Sequence, residues 1–132
     1  MLKSIICAVL TLLSLNALAF TIFGHRGARG LVPENTIPAI QKALDLKVGA
    51  IDVDVVMSKD KQLMVYHDLT LNPDTTKDMH GNWVKVDIVV KKLTAKELQN
   101  YKVTQIRQDS NYAKIFPQQV KNIEAKIPTL QE

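Results

Sequence analysis

The amino-acid sequence predicts an α/β fold. Residues 20–66 run strand, helix, strand with short connections, the order of βαβ units and a parallel sheet. His25, Arg26, Asp52, Asp54, His67 and Asp68 fall on or just after those strands. The carboxyl ends of parallel strands form the functional face of such sheets.

Residues 20–23 are a short β-prone run that ends at Gly24. A glycine-punctuated loop follows over 24–30. Pro33-Glu34-Asn35-Thr36 opens a helix, with Asn35 or Thr36 as N-cap and Pro38 tolerated in the first turn. Ile37, Ile40, Leu44 and Val48 recur at helical spacing, and Gly49 is the expected stop. Residues 51–55 alternate with period two and read as a strand. Residues 58–61 are a turn, and 63–66 are the next strand.

The second half is less patterned. Residues 72–92 are mostly polar, with a turn at Gly81-Asn82 and a candidate strand through Val84, Val86, Ile88 and Val90. Thr94-Ala95-Lys96-Glu97 is a capping box that opens a short helix to about Tyr101. Residues 103–126 show no clear period and read as an insertion or functional loop. Thr129 and Glu132 repeat the capping-box spacing.

Residues 1–19 carry the three parts of a secretory leader: Lys3, an apolar run over 5–15, and Ala17-Leu18-Ala19 as a cleavage pattern. The run is too short for a membrane span. Removing 19 of the 132 residues leaves a domain over 20–132 and takes net charge from +4 to +3. Cys7 leaves with it, which excludes a disulfide, a thiolate metal site and a cysteine nucleophile. The expectation is an exported protein, periplasmic or secreted, with no stable membrane insertion. Its lysines are dispersed and no arginine-rich stripe interleaves with aromatics, so nucleic acid is not an expected partner. Oligomeric state is left open. The glycines of the 24–30 loop are spaced GxxGxxG, and no GxxxxGK[ST], GxSxG or HExxH occurs. Nucleotide binding, serine hydrolysis and zinc proteolysis thereby lose their usual signatures.

Asp52 and Asp54 are two apart and share one strand face. If that face is interior, a positive charge must lie between them, and hard oxygen ligands suit calcium or magnesium. The alternative is a half-exposed strand with its acids in water. His25 and His67 can give and take protons in one reaction. Arg26 offers a planar fork for a phosphate, or a salt bridge within the loop. Glu34 is assigned more to the electrostatics of the helix N-terminus than to a site. His80, beside Gly81, reads as a surface residue.

Gly24-His25-Arg26-Gly27, Pro33-Glu34-Asn35-Thr36, Gly49 to Val55 with Ser58-Lys59-Asp60, and His67-Asp68 form an ordered set. The set closely resembles the start of the glycerophosphodiester phosphodiesterase family, especially its exported periplasmic members. The resemblance implies a TIM (β/α)8 barrel, of which this chain is an N-terminal portion truncated after about three strands. It implies hydrolysis of a small glycerophosphodiester, such as glycerophosphocholine, to glycerol 3-phosphate and an alcohol. By the same resemblance His25 and His67 are general base and general acid, and Arg26 contacts phosphate. Asp54 matches a metal ligand. Asp52 stands where the family usually has glutamate, which withdraws its carboxylate by about 1.5 Å when metal–oxygen distances tolerate a few tenths. The implied cofactor is a divalent cation, Ca2+ first and Mg2+ as the alternative.

Glu124-Ala125-Lys126 has the letters of the family's further metal-binding Glu-x-Lys motif. It precedes Ile127-Pro128-Thr129-Leu130 where the family's motif follows, so Glu124 is expected to be a surface loop residue and the third ligand to be absent. A barrel takes about 200–250 residues, so the chain alone is expected to be unstable or inactive. Two other readings compete: a non-catalytic remnant or binding module, and a related phospholipase on the same barrel.

Overall fold

The computed structural model describes residues 21–85, 87–120 and 122–132. The leader over 1–19 lies outside the described residues. The first strand, β1 (Phe23–Gly24), pairs in parallel with β2 (Ala50–Ile51), Phe23 opposite Ala50 and Gly24 opposite Ile51. The helix α1 (Ile37–Asp45) makes the crossover. This is the predicted βαβ unit.

Thr36 caps α1, its hydroxyl accepting from the Ala39 N–H at 3.2 Å, with Pro38 in the first turn. The Ala39 and Ala43 side of the helix is buried. The helix ends before the expected Val48, because Lys47 turns the chain at φ 55°. Gly49 serves a different purpose from the expected stop. A Cβ there would lie 2.6 Å from Thr21 Cγ2, so the glycine permits a close pass beside the incoming chain.

The predicted strand over 51–55 is split into β2 and β3 (Val55–Met57). Between them, residues 52–54 bond to the end of β1, to the residue before the α1 cap and to the residue after β4. The Asp52 N–H donates to Gly24 O at 3.1 Å, the Asp54 N–H to Asn35 Oδ1 at 3.1 Å, and the Tyr66 N–H to Asp54 O at 3.0 Å. β4 (Leu63–Val65) pairs antiparallel with β3 and is not a third parallel strand of the first sheet. The reason is length: residues 58–62 are too few for a parallel crossover, which takes a dozen or more.

A second sheet is antiparallel, β5 (Thr76–Lys77), β6 (Lys102–Thr104) and β7 (Glu124–Lys126), in that order. Of the candidate strand, Val86 lies outside the described residues, and the described residues Val84, Ile88 and Val90 belong to no strand. Single bridges join Trp83 to Lys77 and Val89 to Thr70, before a 3₁₀ turn at Val90–Lys92. The capping box at Thr94 and Glu97 forms with both halves present and opens α2 (Ala95–Leu98). Within the stretch that lacked a period lie β6, β7 and a short helix, α3 (Asn111–Ile115), capped by Ser110. Glu124 is on a strand, not in a loop; its side chain is exposed and meets Lys77 Nζ at 3.1 Å. At the end of the sequence Glu132 accepts from the Thr129 N–H at 3.0 Å, so that capping pair forms as a turn.

The core joins the hairpin to the second sheet. Met64, Tyr66, Leu71, Leu98, Val103 and Ile127 are buried together with Val84 and Val90. This cluster holds the ends of β4 and the following loop, which carry His67. Among the described residues no helix is long and apolar enough to cross a membrane.

Candidate functional site

The loop after β1 is built around two successive left-handed residues, Arg26 at φ 53° and Gly27 at φ 81°. A Cβ on Gly27 would lie 2.7 Å from the Ala39 carbonyl carbon, so only glycine lets the loop sit this close to α1. The Gly27 N–H donates to Asp52 O at 3.2 Å and the Asn35 N–H to Arg26 O at 3.0 Å. These bonds place Arg26, Asn35 and the Asp52–Asp54 segment side by side.

The side chains converge accordingly. Asp52 Oδ1 accepts from the Arg26 N–H at 2.7 Å, and its Oδ2 lies 3.6 Å from His25 Nδ1. Asp54 Oδ2 accepts from Asn35 Nδ2 at 2.9 Å. Arg26 Nε lies 3.0 Å from the same oxygen, an ion pair without hydrogen-bond alignment. Arg26 Nη1 donates to Glu34 Oε1 at 2.8 Å, and Tyr112 Oη donates to Glu34 Oε2 at 2.5 Å. The Arg26 and Glu34 side chains are only 13% and 8% exposed, whereas His25 and Asp52 are about half exposed at 51% and 53%.

Burial opposes the charge on Arg26, but the hydrogen bond and charge of Glu34, with Asp54, outweigh it and raise its pKa. The Tyr112 phenol is pushed up to about 12, first by burial and then by the Glu34 carboxylate it bonds to. Tyr112 is therefore a neutral donor at physiological pH.

His67 follows β4. Its Nδ1 lies 2.5 Å from Asp68 Oδ1, while Asp68 Oδ2 accepts from Asn72 Nδ2 at 2.8 Å. Asn72 is held in turn by the buried Tyr66 hydroxyl, which accepts from the Asn72 N–H at 2.7 Å. The ring is thus oriented through Nδ1, and Nε2 carries no protein hydrogen bond among the described residues. No hydrogen bond or ion pair joins His67 to His25, Arg26, Asp52 or Asp54 there. The link is through the backbone, by the Tyr66 N–H to Asp54 O bond one residue earlier.

The positive group expected beside the paired aspartates is present in part as Arg26. Asp52 Oδ2 and Asp54 Oδ1 accept no hydrogen bond from the described residues, so two hard oxygens of partly exposed carboxylates remain for a cation. Carboxylate oxygens of this kind are the donors that hard divalent cations such as Ca2+ or Mg2+ take, with water and substrate oxygens completing the shell. Among the described residues no group of three or more His, Cys, Asp or Glu is placed to hold a metal ion, so two carboxylates are what these residues offer. His80 is exposed at a loop tip, as expected.

Three site residues were not assigned from the sequence. Glu34 is tied to Arg26 and Tyr112 rather than serving the helix N-terminus. Asn35 is not the cap; it holds Asp54 from a left-handed backbone, φ 55°, inside a nearly closed environment. Tyr112 arrives from 78 residues away. A buried arginine needs a carboxylate, which was a signal for Glu34; no local pattern marks Tyr112.

Residues 25–132 match the model of the "Glycerophosphoryl diester phosphodiesterase family". A glycerophosphodiester phosphodiesterase of Bacillus subtilis is 36% identical over 112 residues, covering 82% of this chain and 33% of the relative. One from Caldanaerobacter subterraneus is 43% identical over 54 residues, 41% of this chain and 22% of the relative. A crystal structure from Silicibacter pomeroyi, of a protein assigned as a glycerophosphoryl diester phosphodiesterase, superposes with a TM-score of 0.81 at 32% identity. It covers 85% of this chain and 38% of that one. The matched parts cover between 22% and 38% of the length of these relatives, and the chain's elements are part of a TIM barrel. The motif loop, the paired aspartates and the match over 25–132 agree: this chain belongs to the glycerophosphoryl diester phosphodiesterase family.

Proposed function

We propose that this site serves metal-dependent hydrolysis of a small glycerophosphodiester to glycerol 3-phosphate and an alcohol. The observation that supports the reading best is the convergence of Arg26, Asp52, Asp54 and His25 where β1 and β2 end. Arg26 turns Nη1 to Glu34 and Nε to Asp54, which leaves its Nη2 edge for an anionic oxygen. Asp52 and Asp54 would hold the divalent cation. Bound there, such a cation would supply neutralisation of the phosphodiester charge.

His25 takes the proton of the attacking water as the new P–O bond forms; where a glycerol hydroxyl attacks instead, the first product is a cyclic glycerol phosphate that water then opens to glycerol 3-phosphate. His67, oriented by Asp68, returns a proton to the departing alcohol oxygen as the old P–O bond breaks. The leader pattern supports export, to a periplasm or outside the cell.

The test is turnover of a glycerophosphodiester by the purified chain with Mg2+, with Ca2+ and with chelator. His25→Ala and His67→Ala are each expected to lower turnover by about a hundredfold or more. Full activity in both would refute the acid–base assignment. Absence of turnover by the unaltered chain would move the reading to a binding module, in keeping with a site of two carboxylates.

A further inference from the structure

Residues 106–120 fold back over the loop that carries Arg26. Ser110 caps α3, accepting from the Ala113 N–H at 3.2 Å. The Tyr112 ring packs edge-on against Phe116, centroids 5.4 Å apart at 86°. Phe116 in turn receives the Arg29 guanidinium at 4.9 Å. Gln119 is buried, donates to Arg29 O at 2.7 Å and Val32 O at 3.3 Å, and accepts from the Ile106 N–H at 2.8 Å. The Val120 N–H donates to Leu31 O at 2.8 Å. Contacts on both sides of Tyr112 therefore set where its hydroxyl points.

That hydroxyl has one acceptor, Glu34 Oε2. Glu34 consequently has both oxygens engaged, one by Tyr112 and one by Arg26 Nη1. A carboxylate held at one oxygen can rotate about its chain, whereas one held at both cannot without breaking a bond. A neutral donor on Glu34 also takes up part of its negative charge. Less of the Arg26 charge is then consumed inside the protein, and more is left for an incoming anion.

We infer that Tyr112 is a positioning residue: through Glu34 it sets the orientation of the Arg26 guanidinium toward an anionic ligand. The inference rests on the reading of Arg26 as the phosphate-binding group.

The test compares the full chain with Tyr112→Phe, which keeps the ring against Phe116 and removes only the hydroxyl. The first readout needs no ligand: the Nε–H resonance of Arg26 in a nitrogen-15 spectrum. It is expected to shift or broaden in the variant while the Arg107 Nε–H, paired with Asp109, stays in place. The second is calorimetric affinity for glycerol 3-phosphate in excess Mg2+, expected to weaken about three- to tenfold. In a Glu34→Gln background, removing the Tyr112 hydroxyl should change neither readout further, because the carboxylate through which it acts is gone. An unmoved Arg26 resonance in a folded Tyr112→Phe chain would overturn the inference. So would equal effects of the substitution with and without Glu34. If the resonance moves but the unaltered chain binds no glycerol 3-phosphate, the Tyr112–Glu34–Arg26 coupling stands and the phosphate reading of Arg26 falls.

Discussion

Asn35→Asp is nearly isosteric and places a charge where the structure has none to spare. Asn35 Nδ2 donates to Asp54 Oδ2 at 2.9 Å. In the variant that nitrogen becomes an oxygen facing an oxygen, and aspartate tolerates the left-handed backbone as asparagine does. Two carboxylate charges 2.9 Å apart repel by about 6 kcal/mol at an effective dielectric of 20. Arg26 Nε lies 3.0 Å from the same Asp54 oxygen, and Asp54 is 36% exposed, so part of that repulsion is neutralised or screened. The expected loss near pH 7 is about 2–4 kcal/mol, including the lost hydrogen bond. A second feature separates charge from shape. The new carboxyl has a folded-state pKa above its unfolded value of about 3.9, so the folded state binds the extra proton. The stability deficit is therefore absent at low pH and grows as pH rises through the folded-state pKa. Urea unfolding of both chains, at neutral pH and at about pH 4, measures it. A deficit of equal size at both pH values would mean that packing, not charge, is at fault. No deficit at either would show that Asn35 does not hold Asp54 in solution.

Two further outcomes follow from hydroxyl groups. Tyr66→Phe leaves the buried Thr76 hydroxyl and the Asn72 N–H short of a partner, so thermal unfolding should show a loss of about 1–3 kcal/mol. Because Asn72 also holds Asp68, turnover should fall with it. The Tyr112 phenol, pushed up to about 12 in the fold, titrates near 10 in the unfolded chain. Its contribution is full below the unfolded value and is lost as pH climbs from about 10 through 12. An absorbance titration of tyrosinate should show Tyr112→Phe removing amplitude only from the most alkaline step; loss from an earlier step would contradict the Tyr112–Glu34 bond.

The sequence made local features legible where local chemistry decides them. Thr36 and the Thr94–Glu97 pair cap their helices because the hydroxyl, the backbone N–H groups and the carboxylate lie within one turn. Pairing of Asp52 and Asp54 on one side was visible from period two, and both do face the Arg26 loop. The break in their strand was not visible, since it depends on which loop atoms arrive to accept and donate there. The hydrophobic residues at 84 and 90 are buried as their pattern suggests, yet they meet the core from a loop whose backbone partners are scattered. Hardest to read was the covering segment. Five residues of α3 carry too little periodicity, and what fixes them is contact with a loop some 80–90 positions earlier.

Gln119 and Val120 grip that loop by carbonyl oxygens alone, at Arg29, Leu31 and Val32. A carbonyl is offered by every residue type, so this grip is indifferent to which side chains stand at 29, 31 and 32. Of the three, Leu31 is the position where a side chain could change without touching this grip, because Val32 is buried and Arg29 packs on Phe116. The Arg26–Glu34–Asp54 arrangement is thereby carried on a loop whose main chain is pinned from outside.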